Sequence, residues 1–238
     1  KNTLVLTTLL LPTLLLSQNT ELILSDIVFE GLKKSKPSYL LRFIDTHPGE
    51  NVNLEKIEKD IQRIRNLPST SKVDYKIDTI DKQVNLIIEI EEAHTLFPIL
   101  NFGVIRENFW YQAGLNDTHF FGRGINLSGY YQNIDRRHNG NLFFRVPFIN
   151  GGKWGYSASL LRYASVEPLF FPTQAVFYDY TNSSVALSGI YHVNRNQIVE
   201  IGATYFIEDY KKNERHIGES TPGPQGLREP KMLAKGIY

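Results

Sequence analysis

The sequence predicts two joined folds: an α+β module of order β-α-α-β-β over residues 21–93, then an all-β antiparallel transmembrane barrel over residues 94–238. Three observations carry this. Helical spacing of apolar residues is confined to the stretch before Ala93. After Phe97 only alternation with period two remains, in runs of about the 9 to 11 residues that a tilted membrane strand requires. The apolar faces of those runs are rich in Tyr, Phe and Trp towards their ends.

The chain opens on Lys1 and Asn2 followed by TLVLTTLLLPTLLLS, too short to cross a bilayer as a helix and interrupted by Pro12. Residues 1–20 therefore fit a signal peptide, with cleavage expected between Ser17 and Thr20. ILSDIVFEG then sets Ile23, Ser25, Ile27 and Phe29 on one side and stops at Gly31, as a strand ending in a turn. KPSYLLRFIDTHPG starts a helix at Pro37, groups Leu40, Leu41 and Ile44 on one face, and ends at Pro48 and Gly49. Asn53 is a good N-cap for a second helix, in which Leu54, Ile57, Ile61, Ile64 and Leu67 recur at steps of three and four up to Pro68. Two strands follow across a short DTIDKQ turn. Val73, Tyr75 and Ile77 alternate with Asp74, Lys76 and Asp78; Val84, Leu86, Ile88 and Ile90 alternate with Asn85, Ile87 and Glu89. Two helices on one face of a three-stranded sheet leave the other face, with Asp74, Lys76, Asp78 and Glu89, in water.

In the second part, apolar faces are formed by Phe109, Tyr111, Ala113 and Leu115; by Ile125, Leu127, Gly129 and Tyr131; and by Leu142, Phe144, Val146 and Phe148. Trp154, Tyr156, Ala158 and Leu160 continue the series, as do Val185 to Val193 and Val199 to Ile207 at alternate positions. Turn clusters separate them: FFGRG, DRRHNGN, INGGK, YTNSS, HVNRNQ and the long KKNERHIGESTPGPQGLREP. A soluble sandwich has the same alternation. Run length, aromatic placement and the leader favour the membrane barrel.

Residue chemistry excludes several functions. Lys plus Arg number 26 against 25 Asp plus Glu, so no basic excess argues for nucleic acid. There is no Cys, hence no disulfide, thiolate metal site or Cys nucleophile. GESTPG at 218–223 lacks the second Gly of a nucleophile elbow, because Pro222 stands there. His47, His94, His119, His138, His192 and His216 are too scattered for a local metal motif and read as solvent or lumen residues. FFGRG is followed by no helix and so is not a dinucleotide fingerprint; its glycines suit a tight turn and close strand contact, with Arg123 near a wet rim. Arg145 falls on a polar strand face and is expected in the lumen; Glu89, Glu91 and Glu92 read as a solvated strand end. No catalytic residue, cofactor or metal is expected.

The β-α-α-β-β order, with Gly31 after the first strand, Pro48-Gly49 between the helices and IIEIEE closing the last strand, resembles a POTRA (polypeptide-transport-associated) domain. NDTHFFGRGINL resembles the second-strand signature of the BamA/TamA-type surface-antigen barrel, carried here by Phe121, Gly122, Arg123 and Gly124. The resemblance covers residues 21 to roughly 210. It implies a bacterial outer-membrane protein, with the POTRA domain in the periplasm, that assembles or translocates polypeptides without enzymatic chemistry. Its implied partners are unfolded outer-membrane polypeptide clients, the lipid bilayer, and periplasmic or lipoprotein accessory factors. By likeness to the family, the client-receiving edge is the second POTRA strand: Lys72, Val73, Asp74, Tyr75, Lys76, Ile77, Asp78 and Thr79. The barrel seam lies around Leu96 to Val104, where Pro98 and Gly103 weaken pairing. The seven or eight alternating runs fall short of the sixteen strands of the family barrel, the inward-loop signature V/I-R-G-F/Y is missing, and a barrel cut off after Tyr238 is the expectation. A barrel-embedded lipase or acyltransferase and a passive porin or adhesion barrel are the alternatives; neither needs a POTRA arm.

Overall fold

The computed structural model describes residues 22–80, 83–105, 107–172, 174–195, 197–213 and 223–237. The leader expected at 1–20, His216 and the Ser220 loop lie outside the described residues. No helix among the described residues is long and apolar enough to cross a membrane.

The N-terminal module contains β1 (Leu24–Glu30), α1 (Pro37–Leu40), α2 (Leu54–Arg65), β2 (Thr70–Ile80) and β3 (Gln83–Glu92). Its sheet runs β1-β3-β2, so the last strand is central: parallel to β1 and antiparallel to β2. Helix α2 forms as expected. Asn53 caps it by accepting the Lys56 N–H at 3.0 Å, and Ile57, Ile61 and Ile64 are fully buried. They pack on Val73, Val84, Leu86, Ile88 and Ile90, the inward positions of β2 and β3.

Two expectations need correction. A register shift between Leu24 and Asp26 changes the parity of β1, so Leu24 enters the core while Ile23 is exposed. The first helix is a single turn, continued by a 3₁₀ turn over Leu41–Phe43; Ile44 is already extended and Leu41 faces solvent. Asp60 accounts for this early end. Only 1% exposed on the inner side of α2, it accepts the N–H groups of Asp45 (3.0 Å) and Thr46 (2.9 Å), the Thr46 hydroxyl (2.7 Å) and the Arg63 guanidinium (2.6 Å). A carboxylate satisfied by four donors holds residues 44–46 extended beside α2, where a continuing helix would not place them.

The second part is an eight-stranded antiparallel meander in chain order: β4 (Leu96–Ile105), β5 (Asn108–Phe120), β6 (Ile125–Ile134), β7 (Arg137–Val146), β8 (Trp154–Phe170), β9 (Ala175–His192), β10 (Ile198–Lys212) and β11 (Gly226–Ile237). Among the described residues β4 and β11 do not pair with each other, so the sheet is an open wall with two edges. One cross-strand row reads Pro98, Leu115, Gly129, Leu142, Leu160, Val185, Tyr205, Met232. Its large side chains are exposed. Such a band is the lipid-facing wall of a transmembrane barrel.

The opposite face is polar. Asn101 donates to Gln112 at 2.8 Å, Asn139 to Gln132 at 3.1 Å, and Tyr180 to Glu208 at 2.8 Å. Arg145 lies on this face as expected and donates to Glu200 at 2.8 Å, with Ser157 donating to the same carboxylate. Three segments differ from expectation. β8 and β9 have 17 and 18 residues, well beyond their alternating cores. Residues 226–230, assigned to a turn cluster, begin β11, which pairs with β10 over twelve positions. Pro98 and Gly103 do not interrupt the ladder of β4 with β5, and the space above Gly103 is filled by the Trp110 ring opposite.

The core of the module draws almost entirely on residues 24–90, so residues 22–93 should fold when excised. In that fragment Asp60→Ala is expected to lower unfolding free energy by about 3 kcal/mol, since it leaves the Asp45 and Thr46 N–H groups and the Thr46 hydroxyl without their acceptor. Urea unfolding followed by circular dichroism checks this.

Candidate functional site

Two strand edges and one inter-domain junction are the features with functional potential. Lys72 to Thr79 pair with Glu91 to Val84 of β3, and β2 has no second strand neighbour among the described residues. Val73, Tyr75 and Ile77 face the core under α2, so the strand is held rigidly from one side. Asp74 and Lys76 face the wet side as expected, where Lys72 pairs with Asp74 and Lys76 with Glu89, both at 2.7 Å. With Glu30, Gly31, Ile90 and Glu91, three of these charged residues (Lys72, Asp74 and Glu89) line a shallow hollow of about 350 Å³. Arg65 of α2 donates to the Val73 carbonyl at 3.2 Å.

The tetrad Phe121, Gly122, Arg123 and Gly124 forms the turn between β5 and β6, as the sequence suggested, but its close contact is with the module and not with a strand. Gly122 and Gly124 have φ of +71° and +68°. A Cβ on Gly122 would lie 1.8 Å from the Lys34 carbonyl oxygen, and one on Gly124 would lie 2.5 Å from the Tyr39 ring. The Gly122 carbonyl accepts the Lys36 N–H at 2.9 Å. Arg123 is exposed at the rim.

Around this turn lies a polar network that sequence reasoning missed. Lys34 donates to both Asp117 oxygens, at 2.8 and 3.0 Å, and to Thr95 at 2.9 Å; Thr95 and the His119 N–H also donate to Asp117. His119, expected in solvent or lumen, is 1% exposed. Its Nδ1 accepts the Gly124 N–H at 3.0 Å, so the neutral ring carries its proton on Nε2 and donates to Ser35 Oγ at 2.9 Å. Glu92, expected on a solvated strand end, accepts the N–H groups of Lys34 (2.8 Å) and Ser35 (2.7 Å). Burial pushes its carboxyl up, but the hydrogen bonds from Ser35, Lys34 and Lys33 outweigh it and leave it below the usual range. Burial pushes the Tyr39 phenol up to about 12, and its ring packs on His119 and Phe43. A second contact area uses Arg42 over the Phe148 ring at 4.6 Å and Arg195 on Asp45 and the Ile44 carbonyl, both at 2.7 Å. The only local signal for the junction was the His at the head of the HFFGRG string.

Residues 22–93 match the family model described as "Surface antigen variable number repeat", POTRA. The module is a POTRA domain. Taken whole, the chain has the fold of the BamA/TamA type, a POTRA domain leading into an antiparallel barrel wall. It is similar to BamA from Haemophilus ducreyi lacking POTRA domains 1–3, at 17% identity and a TM-score of 0.61 over 90% of this chain and 42% of that one. CdiB from Acinetobacter baumannii (15% identity, TM-score 0.44, 79% and 38% covered) and CdiB from Escherichia coli (13%, 0.46, 89% and 38%) align less well. The chain thus spans about two fifths of the length of these structures. No curated protein sequence matches it.

Gly122→Ala and Gly124→Ala should each loosen the POTRA domain from the barrel rim, because the added methyl meets backbone or ring atoms and the left-handed backbone resists a side chain. Faster limited proteolysis within residues 31–50, with unchanged circular dichroism of the strands, is the expected result. Acid should act at the same joint. The folded-state pKa of Glu92 is depressed, so its contribution is present above its unfolded pKa of about 4.3 and is lost as pH falls through the folded value. Proteolysis of the joint should rise below about pH 4 in the wild type, and Glu92→Gln should already be protease-sensitive at pH 7 with little further change on acidification.

Proposed function

We propose that this chain is a non-enzymatic outer-membrane factor for assembling or translocating polypeptides, whose POTRA domain captures unfolded clients by adding them as a strand to the β2 edge. The observation that carries this is β2 itself: residues 72–79 sit at the margin of the sheet, fixed by the core on one face and, among the described residues, paired with a strand on one side only. Unpaired edge N–H and C=O groups accept any extended chain irrespective of its side chains, as a factor with many clients requires.

Under this reading the leader at 1–20 directs export, the POTRA domain stands in the periplasm, and periplasmic or lipoprotein accessory factors dock on it. The captured strand is handed to the β4 edge, residues 96–105, which is the first strand of the wall and begins three residues after the POTRA domain ends. Backbone pairing supplies the whole driving interaction, so no cofactor or metal enters the mechanism. The junction keeps the two edges at a fixed distance while a client passes between them.

A photoreactive amino acid placed at Lys72, Asp74, Lys76 or Asp78 is expected to crosslink newly exported outer-membrane precursors, and the same probe at Glu55, an exposed position in the first turn of α2, is not. Equal labelling at both places, or none at 72–78, would remove the β2 edge from the function.

A further inference from the structure

The lipid-facing wall carries one feature that a passive wall does not need. Arg162 lies on the outward row that runs from Leu100 across β5 to β10 and ends at Pro230, and no other charged residue shares that row. Among the described residues it forms no ion pair or hydrogen bond. It sits eight residues above Trp154 along β8, roughly 27 Å of strand, or roughly 20 Å across the membrane at the usual tilt. Trp154 and Tyr191 pack together near the POTRA end, and Tyr111 with Tyr131 near the other, as two aromatic belts. A guanidinium on its aliphatic stem therefore reaches the far headgroup layer.

Beside Arg162 the wall is hollow. Gly140 directly opposite has no side chain and Ser183 on the other flank has a short one, leaving a groove of about 590 Å³. Its floor is Leu142, Leu160 and Val185, and Tyr131 and Tyr205 stand at its sides. An apolar trough ending at an uncompensated cation matches one ligand chemistry: an acyl chain joined to a phosphate. We propose that this groove is a specific site for a phosphate-bearing lipid of the far leaflet, with its phosphate on Arg162 and an acyl chain along Leu142, Leu160 and Val185. The lipid supplies the counter-ion that the protein leaves out. The proposal rests on the membrane-wall reading of the sheet but not on client capture at β2.

The full-length protein, folded into a zwitterionic detergent, is mixed with phosphatidic acid, with diacylglycerol or with inorganic phosphate and examined by native mass spectrometry. One phosphatidic acid should survive the stripping of detergent, while neither diacylglycerol nor free phosphate does. Arg162→Gln should lower retention roughly tenfold, as expected for losing a charge-assisted hydrogen bond. Ser183→Leu should lower it comparably by filling the trough with Arg162 intact, and Arg162→Lys should restore most of the binding. Heat-modifiable migration in gels verifies that each variant is folded. Wild-type retention by Arg162→Gln or Ser183→Leu, or binding of inorganic phosphate alone, would overturn the site.

Discussion

Strand parity is the constraint on which the rest of this molecule depends. In a strand the side-chain period is two, so a slip of one residue in any of the seven ladders from β4 to β11 would exchange the greasy and wet faces of every strand beyond it. Ladders from Leu96 to Ile237 keep one parity through the spanning region, with Leu115, Leu142, Leu160 and Val185 outward and Gln112, Asn141, Ser159 and Ser184 inward. The register shifts in β5 only between Asp117 and Phe120, where the strand leaves the wall to meet the POTRA domain. Freed there from the lipid-facing pattern, Asp117 and His119 are buried against Lys34 and Ser35. A bulge thus converts two outward positions into the polar side of a joint.

That joint explains why two glycines flank Arg123. The turn 121–124 is where the backbones of the two folds touch, through the Lys36 N–H and the Gly122 carbonyl, with no room for a side chain. Charge organises the surroundings. Asp117 receives Lys34 and Thr95, Glu92 receives two backbone donors, and His119 links Ser35 to Gly124, so each of these polar groups is paired. The second contact, Arg42 on Phe148 and Arg195 on Asp45, lies on different turns of the wall and resists rotation about the first.

What the sequence disclosed follows the range of the interactions involved. The stripe Ile57, Ile61, Ile64 and the alternation of Val84 to Ile90 are periodic within one element, and they fold as read. The outward faces of β5 to β10 were legible for the same reason: lipid imposes one rule on every strand it touches. β8 and β9 run on past Arg162 and before Val185 into segments under no such rule, and there the alternation lapses although the pairing continues. The shift at Leu24, the one-turn α1 and the partners of Asp60, Glu92 and His119 depend on residues far away in the chain. Asp60 did leave a trace, being a carboxylate three residues after Ile57 on the buried side of an amphipathic helix, where only a set of donors supplied from elsewhere makes it tolerable. Nothing in FFGRG itself specified Lys34 and Tyr39 as its neighbours.

Open edges are usually a hazard, and of the four edge strands among the described residues, β1, β2, β4 and β11, two are managed differently. β4 carries Pro98, which has no N–H to donate to a neighbouring strand. β2 carries neither a proline nor a bulge between Lys72 and Ile80, but Arg65 reaches its backbone at the Val73 carbonyl. A side-chain donor there is a weak substitute for a strand, since one displaceable hydrogen bond is exchanged for a ladder of several. An unfolded segment able to form three or four backbone bonds displaces Arg65 at little cost, whereas a chance contact forming only one gains nothing over it. If clients pair at this edge as proposed, Arg65 sets a minimum length for productive pairing.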